Sequence, residues 1–177
     1  ASRSRFEDTY LYVLIDGRES SADFQRLCES LVEARAGVLQ LRDKRLPDRD
    51  LIERARLMCE IALGSKTLCV LNDRPDLAAL SGAAGVHVGQ DDLAVGDARR
   101  VLGLSGIVGV STHSIEQARQ AVLDGADYIG VGPTFPSATK QFDAFPGLPL
   151  LRAVAAEISL PTFAIGGITE ENLGAVL

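Results

Sequence analysis

Charged, amide and hydroxyl side chains follow six successive apolar runs of the sequence. They lie in the segments Gln40–Lys44, Asn72–Arg74, Gly89–Asp92, Ser111–His113, Gly132–Lys140 and Gly166–Gly167. Asp73 and Asp92 could share one hard cation, because Mg²⁺ is held by one or two carboxylates together with waters and phosphate oxygens. Arg42, Lys44 and Lys140 would surround the remaining phosphate charge. These residue types predict a site for a diphosphate and a divalent metal.

Small polar residues near the end of the sequence predict a second phosphate site. The hydroxyls of Ser137 and Thr139 and the backbone amides near Gly166–Gly167 could hold a monophosphate. Barrels often bind such a group after their seventh and eighth strands. The side-chain amides of Gln40 and Asn72 can recognise a heterocycle by hydrogen bonds.

The elements that would position these residues alternate between strand and helix. The predicted strands are Tyr10–Ile15, Val38–Leu41, Thr67–Leu71, Gly85–Val88, Ile107–Val110, Tyr128–Val131 and Thr162–Ile165. Apolar residues at helical spacing lie between them. Helices are predicted near Pro75, over Leu93–Leu102 and from Thr169, and Ser114 with Gln117 has the spacing of a capping box.

Seven strands joined by helical crossovers require a parallel sheet, and both a closed barrel and an open doubly wound sheet fit this alternation. Two observations favour the barrel. Asp16–Ser20 stands where a Gly-rich dinucleotide fingerprint would follow the first strand. Side chains that could bind ligands or take part in catalysis follow almost every strand. Barrel active sites lie at this carboxyl end of the strands. The sequence therefore predicts an α/β fold, a parallel (βα)8 TIM barrel, as a single domain over residues 1–177.

Each segment taken alone also has a purely structural explanation. Arg42–Arg45 is typical of a solvated loop, Asn72–Pro75 of a turn that begins a helix, and Ser137–Lys140 of a Pro-rich linker. Asp91 and Asp92 are equally typical of an N-cap for the following helix. His87 lies inside a strand and is predicted to be a satisfied core imidazole rather than a metal ligand. Their joint placement at one end of six successive strands favours a functional site.

The composition of the sequence limits the kinds of partner and compartment that we expect. The net charge of −6 argues against nucleic acid or an anionic membrane as the main partner. The sequence contains no run of about 18 apolar residues, so it predicts no membrane-spanning helix. The three cysteines, Cys28, Cys59 and Cys69, include no C-x-x-C pair, so we expect buried thiols in a reducing cytoplasm.

Seven strings of the sequence, taken together and in order, resemble the thiamine-phosphate synthase family. They are Gln40–Lys44, Asn72–Ala78, Gly85–Leu93, Gly109–His113, Ala126–Pro133, Thr139–Lys140 and Ala164–Ile168. The resemblance implies a Mg²⁺-dependent transferase. Such an enzyme joins 4-amino-2-methyl-5-pyrimidinylmethyl diphosphate to a thiazole phosphate, plain or carboxylated, and releases thiamine monophosphate and diphosphate.

The resemblance also implies a role for each matching residue. Asp73 and Asp92 would hold Mg²⁺, and Lys44, Ser111 and Lys140 would act in catalysis. The implied substrate-binding residues are Gln40, Leu41, Arg42, Asp43, Lys44, Asn72, Ser111, Ser137, Ala138, Thr139, Lys140 and Gly167. The partners would be these small molecules, and a homo-oligomer is compatible with the resemblance.

The sequence departs from the family pattern after Leu177, where the family continues with an eighth strand. We therefore expect the sequence to be a C-terminally incomplete part of a longer chain. Three other functions stay open. One is a thiazole tautomerase-type paralogue, and another is a phosphate-handling barrel such as a sugar-phosphate isomerase. The third is a non-catalytic regulatory domain that binds thiamine precursors.

Overall fold

The computed structural model describes Phe6 and residues 8–136 and 146–177. Its strands are β1 (Tyr12–Ile15), β2 (Val38–Leu41), β3 (Leu68–Asn72), β4 (Gly85–Val88), β5 (Ile107–Thr112), β6 (Tyr128–Val131) and β7 (Thr162–Ala164). Its helices are α1 (Ser21–Glu33), α2 (Asp48–Ala62), α3 (Pro75–Ser81), α4 (Val95–Leu102), α5 (Ile115–Leu123) and α6 (Gly147–Glu157). A short 3₁₀ turn, Leu173–Ala175, follows β7.

The seven strands form one parallel sheet in sequence order, β1 to β7. The sheet curls into a nearly closed barrel, as the alternation of strands and helices predicted. The helices pack on the outside, and their apolar stripes meet outward-facing strand residues. Phe24 and Cys28 of α1 and Met58 of α2 are completely buried in this layer. Among the residues that the structure describes, no helix is both long and apolar enough to cross a membrane.

Three strands, β2, β4 and β6, have the predicted bounds, and two others are longer or shifted in a way that matters for the site. β3 ends at Asn72 rather than Leu71 because Asn72 pairs with His87 of β4. β5 runs on to Thr112 because its pairing with β6 continues through Ser111 and Gly130. Asn72 and Ser111 are therefore strand residues, and pairing with the neighbouring strands sets their positions.

The ends of other predicted elements require correction. β1 begins at Tyr12 rather than Tyr10, and β7 ends at Ala164. The helix predicted from Thr169 is wrong, since only turns and the short 3₁₀ segment form there. The Asn172 side chain accepts a hydrogen bond from the Thr169 backbone N–H and donates one to the Gly167 carbonyl. Such local bonds compete with helical ones.

The structure also shows how two of the predicted helices begin. The Ser114 hydroxyl caps α5 by accepting from the Gln117 backbone N–H at 3.2 Å. The return bond of the capping box goes to the His113 N–H rather than that of Ser114. The helix predicted over Leu93–Leu102 begins at Val95, and its N-cap residue, Ala94, makes no side-chain capping bond. Asp91 and Asp92 therefore do not cap it.

Candidate active site

The strand side chains that face the barrel interior become polar toward the carboxyl ends of the strands. Gln40, His87 and Ser111 line a cavity of about 60 Å³ there. The wall is completed by apolar and aromatic residues, namely Tyr12, Leu14, Tyr128, Gly130, Phe163, Ala164 and Ile165. An apolar pocket with a few convergent polar groups is the usual form of a small-molecule site.

Gln40 is the most unusual member of this lining. Its residue is only 2% exposed, yet its side-chain Nε2 has no hydrogen-bond partner within the described residues. An unpaired buried amide costs free energy, so such groups are rare unless a ligand completes them. Its position supports the predicted role in reading a substrate.

Asp73 and Lys44 meet in the loops that follow β3 and β2, at the carboxyl ends of these strands. The Lys44 ammonium lies 3.6 Å from an Asp73 carboxylate oxygen. Burial, followed by the neighbouring Asp92 carboxylate, raises the pKa of Asp73, and Lys44 opposes this shift. Asp73 also adopts a left-handed backbone with φ 61°, a conformation that Asp tolerates better than most residues. The tertiary structure therefore brings together the two carboxylates that the sequence predicted as metal ligands.

This pair fits a divalent cation. Two carboxylates that share a site repel one another, and a bound cation relieves that repulsion. Mg²⁺ needs only one or two carboxylates when substrate oxygens and waters complete its shell. Within the described part of the chain, no cluster of three or more His, Cys, Asp or Glu residues could hold a metal ion. One Asp92 oxygen already accepts from the Gly89 N–H at 2.8 Å, which fixes the direction of its carboxylate.

The loop after β2 is organised by Asp43. Its side chain is 2% exposed and accepts hydrogen bonds from the backbone N–H groups of Gly17, Arg45 and Leu46. Burial opposes ionisation, but these N–H groups outweigh it and lower the pKa of Asp43. The Leu41 side chain packs in the outer core. Both side chains are engaged within the protein, so the predicted substrate contacts of these two residues would run through their backbone.

A hydrogen-bonded chain descends from Ser111 into the barrel. His87 Nε2 lies 2.9 Å from the Ser111 hydroxyl, and His87 Nδ1 lies 3.0 Å from the Tyr128 hydroxyl. The Tyr128 hydroxyl lies 2.8 Å from that of Tyr12. Burial lowers the pKa of His87 to about 4, so the ring is neutral near pH 7. The prediction of a satisfied core imidazole is confirmed.

Tyr12 and Tyr128, the two tyrosines of this hydrogen-bonded series, were not identified from the sequence as part of the site. The available signal was their position, because Tyr12 and Tyr128 each occupy a strand residue that the two-residue period turns toward the barrel axis. Phe6 and Phe163 pack against Tyr128 with ring centroids 5.1 and 5.7 Å away. Together these rings form an aromatic floor beneath the cavity.

The predicted monophosphate site is described only in part. Gly166 and Gly167 have positive φ values of 96° and 63°. A side chain on Gly167 would meet the Phe135 carbonyl oxygen at 2.6 Å, so the chain passes close to the loop after β6. Ser137, Ala138, Thr139 and Lys140 lie outside the described residues, and their predicted roles stay predictions.

Comparison with known proteins gives a consistent result. The family model for thiamine monophosphate synthase matches residues 11–177. A protein from Rhodopirellula baltica named thiamine-phosphate synthase is 47% identical over 183 aligned residues, which cover 99% of this chain and 48% of that protein. A protein of the same name from Methanoculleus marisnigri is 43% identical, covering 94% of this chain and 80% of that protein. The chain thus spans about half the length of the first relative and about four fifths of the second.

Solved structures agree. Thiamine phosphate pyrophosphorylase from Pyrococcus furiosus superposes with a TM-score of 0.84 at 30% identity, covering 98% of this chain and 82% of that one. A 4-hydroxy-2-oxoglutarate aldolase superposes with a TM-score of 0.70 at 20% identity, which shows a shared barrel fold and no more. The sequence match over nearly the whole chain and the barrel fold agree, and the chain belongs to the thiamine monophosphate synthase family.

Proposed function

We propose that this chain is a thiamine-phosphate synthase. It would join 4-amino-2-methyl-5-pyrimidinylmethyl diphosphate to the phosphate of a thiazole alcohol and release diphosphate. Identity of 43–47% to proteins of that name supports the reaction. The geometric observation that carries it is the meeting of Asp73, Asp92 and Lys44 at the mouth of the barrel.

The reaction breaks the C–O bond between the pyrimidine methylene and the diphosphate, and a thiazole nitrogen forms a C–N bond to that carbon. The departing diphosphate carries off the electron pair of the broken bond. A Mg²⁺ ion held by Asp73 and Asp92 would supply Lewis-acid stabilisation of this leaving group. Lys44 adds positive charge beside Asp73, where charge grows on the departing oxygens.

The remaining residues orient the reactants. Gln40 offers its unpaired amide to the pyrimidine-bearing substrate from inside the barrel, and the Ser111 hydroxyl lies in the same cavity. Holding both substrates in line supplies much of the rate enhancement. The step needs no strong general base, which agrees with a His87 ring whose two nitrogens are already engaged. Lys140 is proposed as a further contact to the diphosphate.

The proposal also covers the cellular compartment and the binding partners. Cys28, Cys59 and Cys69 are free thiols, which supports a reducing compartment, and we place the protein in the cytoplasm on that basis. Its partners would be the two small substrates, and a homo-oligomeric state stays a prediction.

Diphosphate release tests the proposal. The chain would be given both substrates with Mg²⁺, and with a chelator as control. Release is expected only when both substrates and the metal are present. Asp73→Ala should lower turnover by at least about 100-fold at limiting Mg²⁺, whereas Asp91→Ala, an exposed neighbour, should leave it near the wild-type value. Binding of both substrates without release would instead indicate a regulatory domain.

A further inference from the structure

The hydrogen-bonded series of groups in the cavity wall has a direction. Four groups are connected in series: the hydroxyls of Tyr12 and Tyr128, the His87 ring and the Ser111 hydroxyl, with separations of 2.8, 3.0 and 2.9 Å. All four residues line the cavity, and Ser111, near the end of β5, is the member closest to the carboxyl ends of the strands. A neutral imidazole donates from one nitrogen and accepts at the other, so it transmits the orientation of one neighbour to the other.

Three proton orders satisfy the three contacts when the imidazole is neutral. In the first, Tyr12 donates to Tyr128, Tyr128 donates to His87 Nδ1, and His87 Nε2–H donates to Ser111. The Ser111 hydrogen is then free to point into the cavity. In the second, every bond is reversed, and the hydrogen left over belongs to Tyr12. In the third, Tyr12 and His87 Nδ1–H both donate to the Tyr128 oxygen, and the hydrogen left over belongs to Tyr128, which is completely buried against aromatic rings.

The surroundings favour the first order. The Tyr12 hydroxyl contacts no hydrogen-bond partner other than Tyr128 in the described part of the chain. Its ring packs against Phe163 and Tyr128, with centroids 5.0 and 5.8 Å away. A hydroxyl hydrogen left without an acceptor among aromatic rings is costly, because its lost hydration is not replaced. Ser111 lies nearer the carboxyl ends of the strands than Tyr12, which begins β1, so its leftover hydrogen can meet an acceptor on the substrate.

We propose that Tyr12, Tyr128 and His87 are positioning residues that hold His87 in its Nε2–H tautomer and make Ser111 a hydrogen-bond donor to the substrate. The matching ligand group is an acceptor, such as a nitrogen with a free lone pair on a heteroaromatic ring. This proposal rests on the proposed function for the identity of that ligand. The direction of these hydrogen bonds is a property of the protein alone and does not depend on which ligand binds.

Close packing holds this chain of groups in place. Gly109 lies opposite Tyr128 in the β5–β6 register, and a side chain there would come within 2.0 Å of Tyr128 Cζ. Only glycine leaves room for the phenol to reach His87. Phe6 packs against the same ring from the opposite end of the barrel. The position of the Tyr128 hydroxyl is therefore fixed by packing as well as by its hydrogen bonds.

The tautomer of His87 can be observed directly. The chain contains two histidines, so protein labelled with ¹⁵N-histidine gives two ring spin systems, which His113→Gln assigns. At pH 7.5 without ligand, the His87 spectrum is expected to show a protonated Nε2 and an unprotonated Nδ1. A protonated Nδ1 would overturn the proposal. In Tyr128→Phe, the His87 signals should move toward those of a mixture of tautomers, which a merely structural role of Tyr128 would not cause.

A double-mutant cycle tests the consequence for the substrate. Tyr128→Phe should raise the KM for the pyrimidine diphosphate by about tenfold with a smaller change in kcat, since it removes one orienting hydrogen bond. In a Ser111→Ala background the same change should add nothing, because Tyr128 acts through Ser111. Additive effects would contradict the proposal. Tyr10→Phe is the matched control, since Tyr10 is 87% exposed.

The two tests separate this proposal from the proposed function. If the wild-type chain shows the Nε2–H tautomer but releases no diphosphate, the orientation of the hydrogen bonds stands and the synthase reaction fails. If the chain turns over and the tautomer is Nδ1–H, the reaction stands and the positioning role fails.

Discussion

The Asp43 carboxylate accepts a hydrogen bond from the backbone N–H of Gly17 at 3.1 Å, which joins the loop after β2 to the loop after β1. The same carboxylate accepts from Arg45 and Leu46. Asp43 therefore holds the segment between Arg42 and Lys44 in one conformation. A charged residue inside a basic loop acts here as the structural centre of that loop.

Asp43→Asn should lower the free energy of unfolding by about 2 kcal/mol at pH 7, because hydrogen bonds to a charged acceptor are among the stronger ones. The folded pKa of Asp43 is lowered, so its stabilisation is present above the unfolded pKa and is lost as pH falls through the folded value. The unfolding free energies of the two proteins, measured in urea, should thus differ at pH 7, and this difference should begin to shrink as pH falls below about 4. Asp124→Asn, an exposed site, is the control. A constant difference across this range would contradict the assignment.

Gln40→Leu should separate stability from activity. Removing a buried amide nitrogen that has no partner within the described residues is expected to raise the free energy of unfolding by about 1 kcal/mol. Turnover should fall by at least about tenfold, since the substrate loses its hydrogen bond to this amide. Thermal unfolding and diphosphate release measure the two effects. Gln25→Leu, on the exposed face of α1, should change neither; loss of stability in Gln40→Leu would show that the amide is satisfied.

Gly109→Ala should destabilise the barrel. The new methyl group would lie 2.0 Å from Tyr128 Cζ, and overpacking of this kind costs about 1–3 kcal/mol. Gly96→Ala is the matched control. Gly96 lies in α4, and a side chain there would meet no atom within 4 Å. That change should stabilise the protein by about 0.5–1 kcal/mol. Equal unfolding midpoints for the two variants would contradict the packing of Tyr128.

Lys44→Met should affect activity far more than stability. Its ion pair with Asp73 spans 3.6 Å and its side chain is 66% exposed, so its loss should cost less than about 1 kcal/mol. Diphosphate release should fall by about 100-fold, because a charge beside the leaving group is removed. Lys66→Met provides an exposed control. Near-normal turnover in Lys44→Met would exclude Lys44 from catalysis.

Much of the fold could be predicted from the sequence because it depends on local patterns. The two-residue and 3.6-residue periods place strands and helices, and βα alternation requires parallel strands whose carboxyl ends meet. Asp73 and Asp92 could therefore be assigned to one end of the barrel from the sequence alone. The thiamine-phosphate synthase resemblance rests on the same local strings.

Other features could not be predicted, because they depend on distance across the barrel or on competition between side chain and backbone. The reach of β3 to Asn72 and of β5 to Thr112 depends on pairing with neighbouring strands. The helix predicted from Thr169 fails because the Asn172 side chain satisfies the local backbone first. Neither effect produces a periodic pattern in the sequence.

The residue types, their order and the end of the barrel at which they gather were determined by the sequence itself. The tertiary structure decided which of them touch: that Asp43 turns inward to backbone N–H groups, that Gln40 stays unpaired within the described residues, and that Tyr128 reaches His87. The physical reason is that hydrogen bonds and steric exclusion act over about 3 Å. Residues far apart in the sequence acquire such neighbours only once the sheet has curled around them.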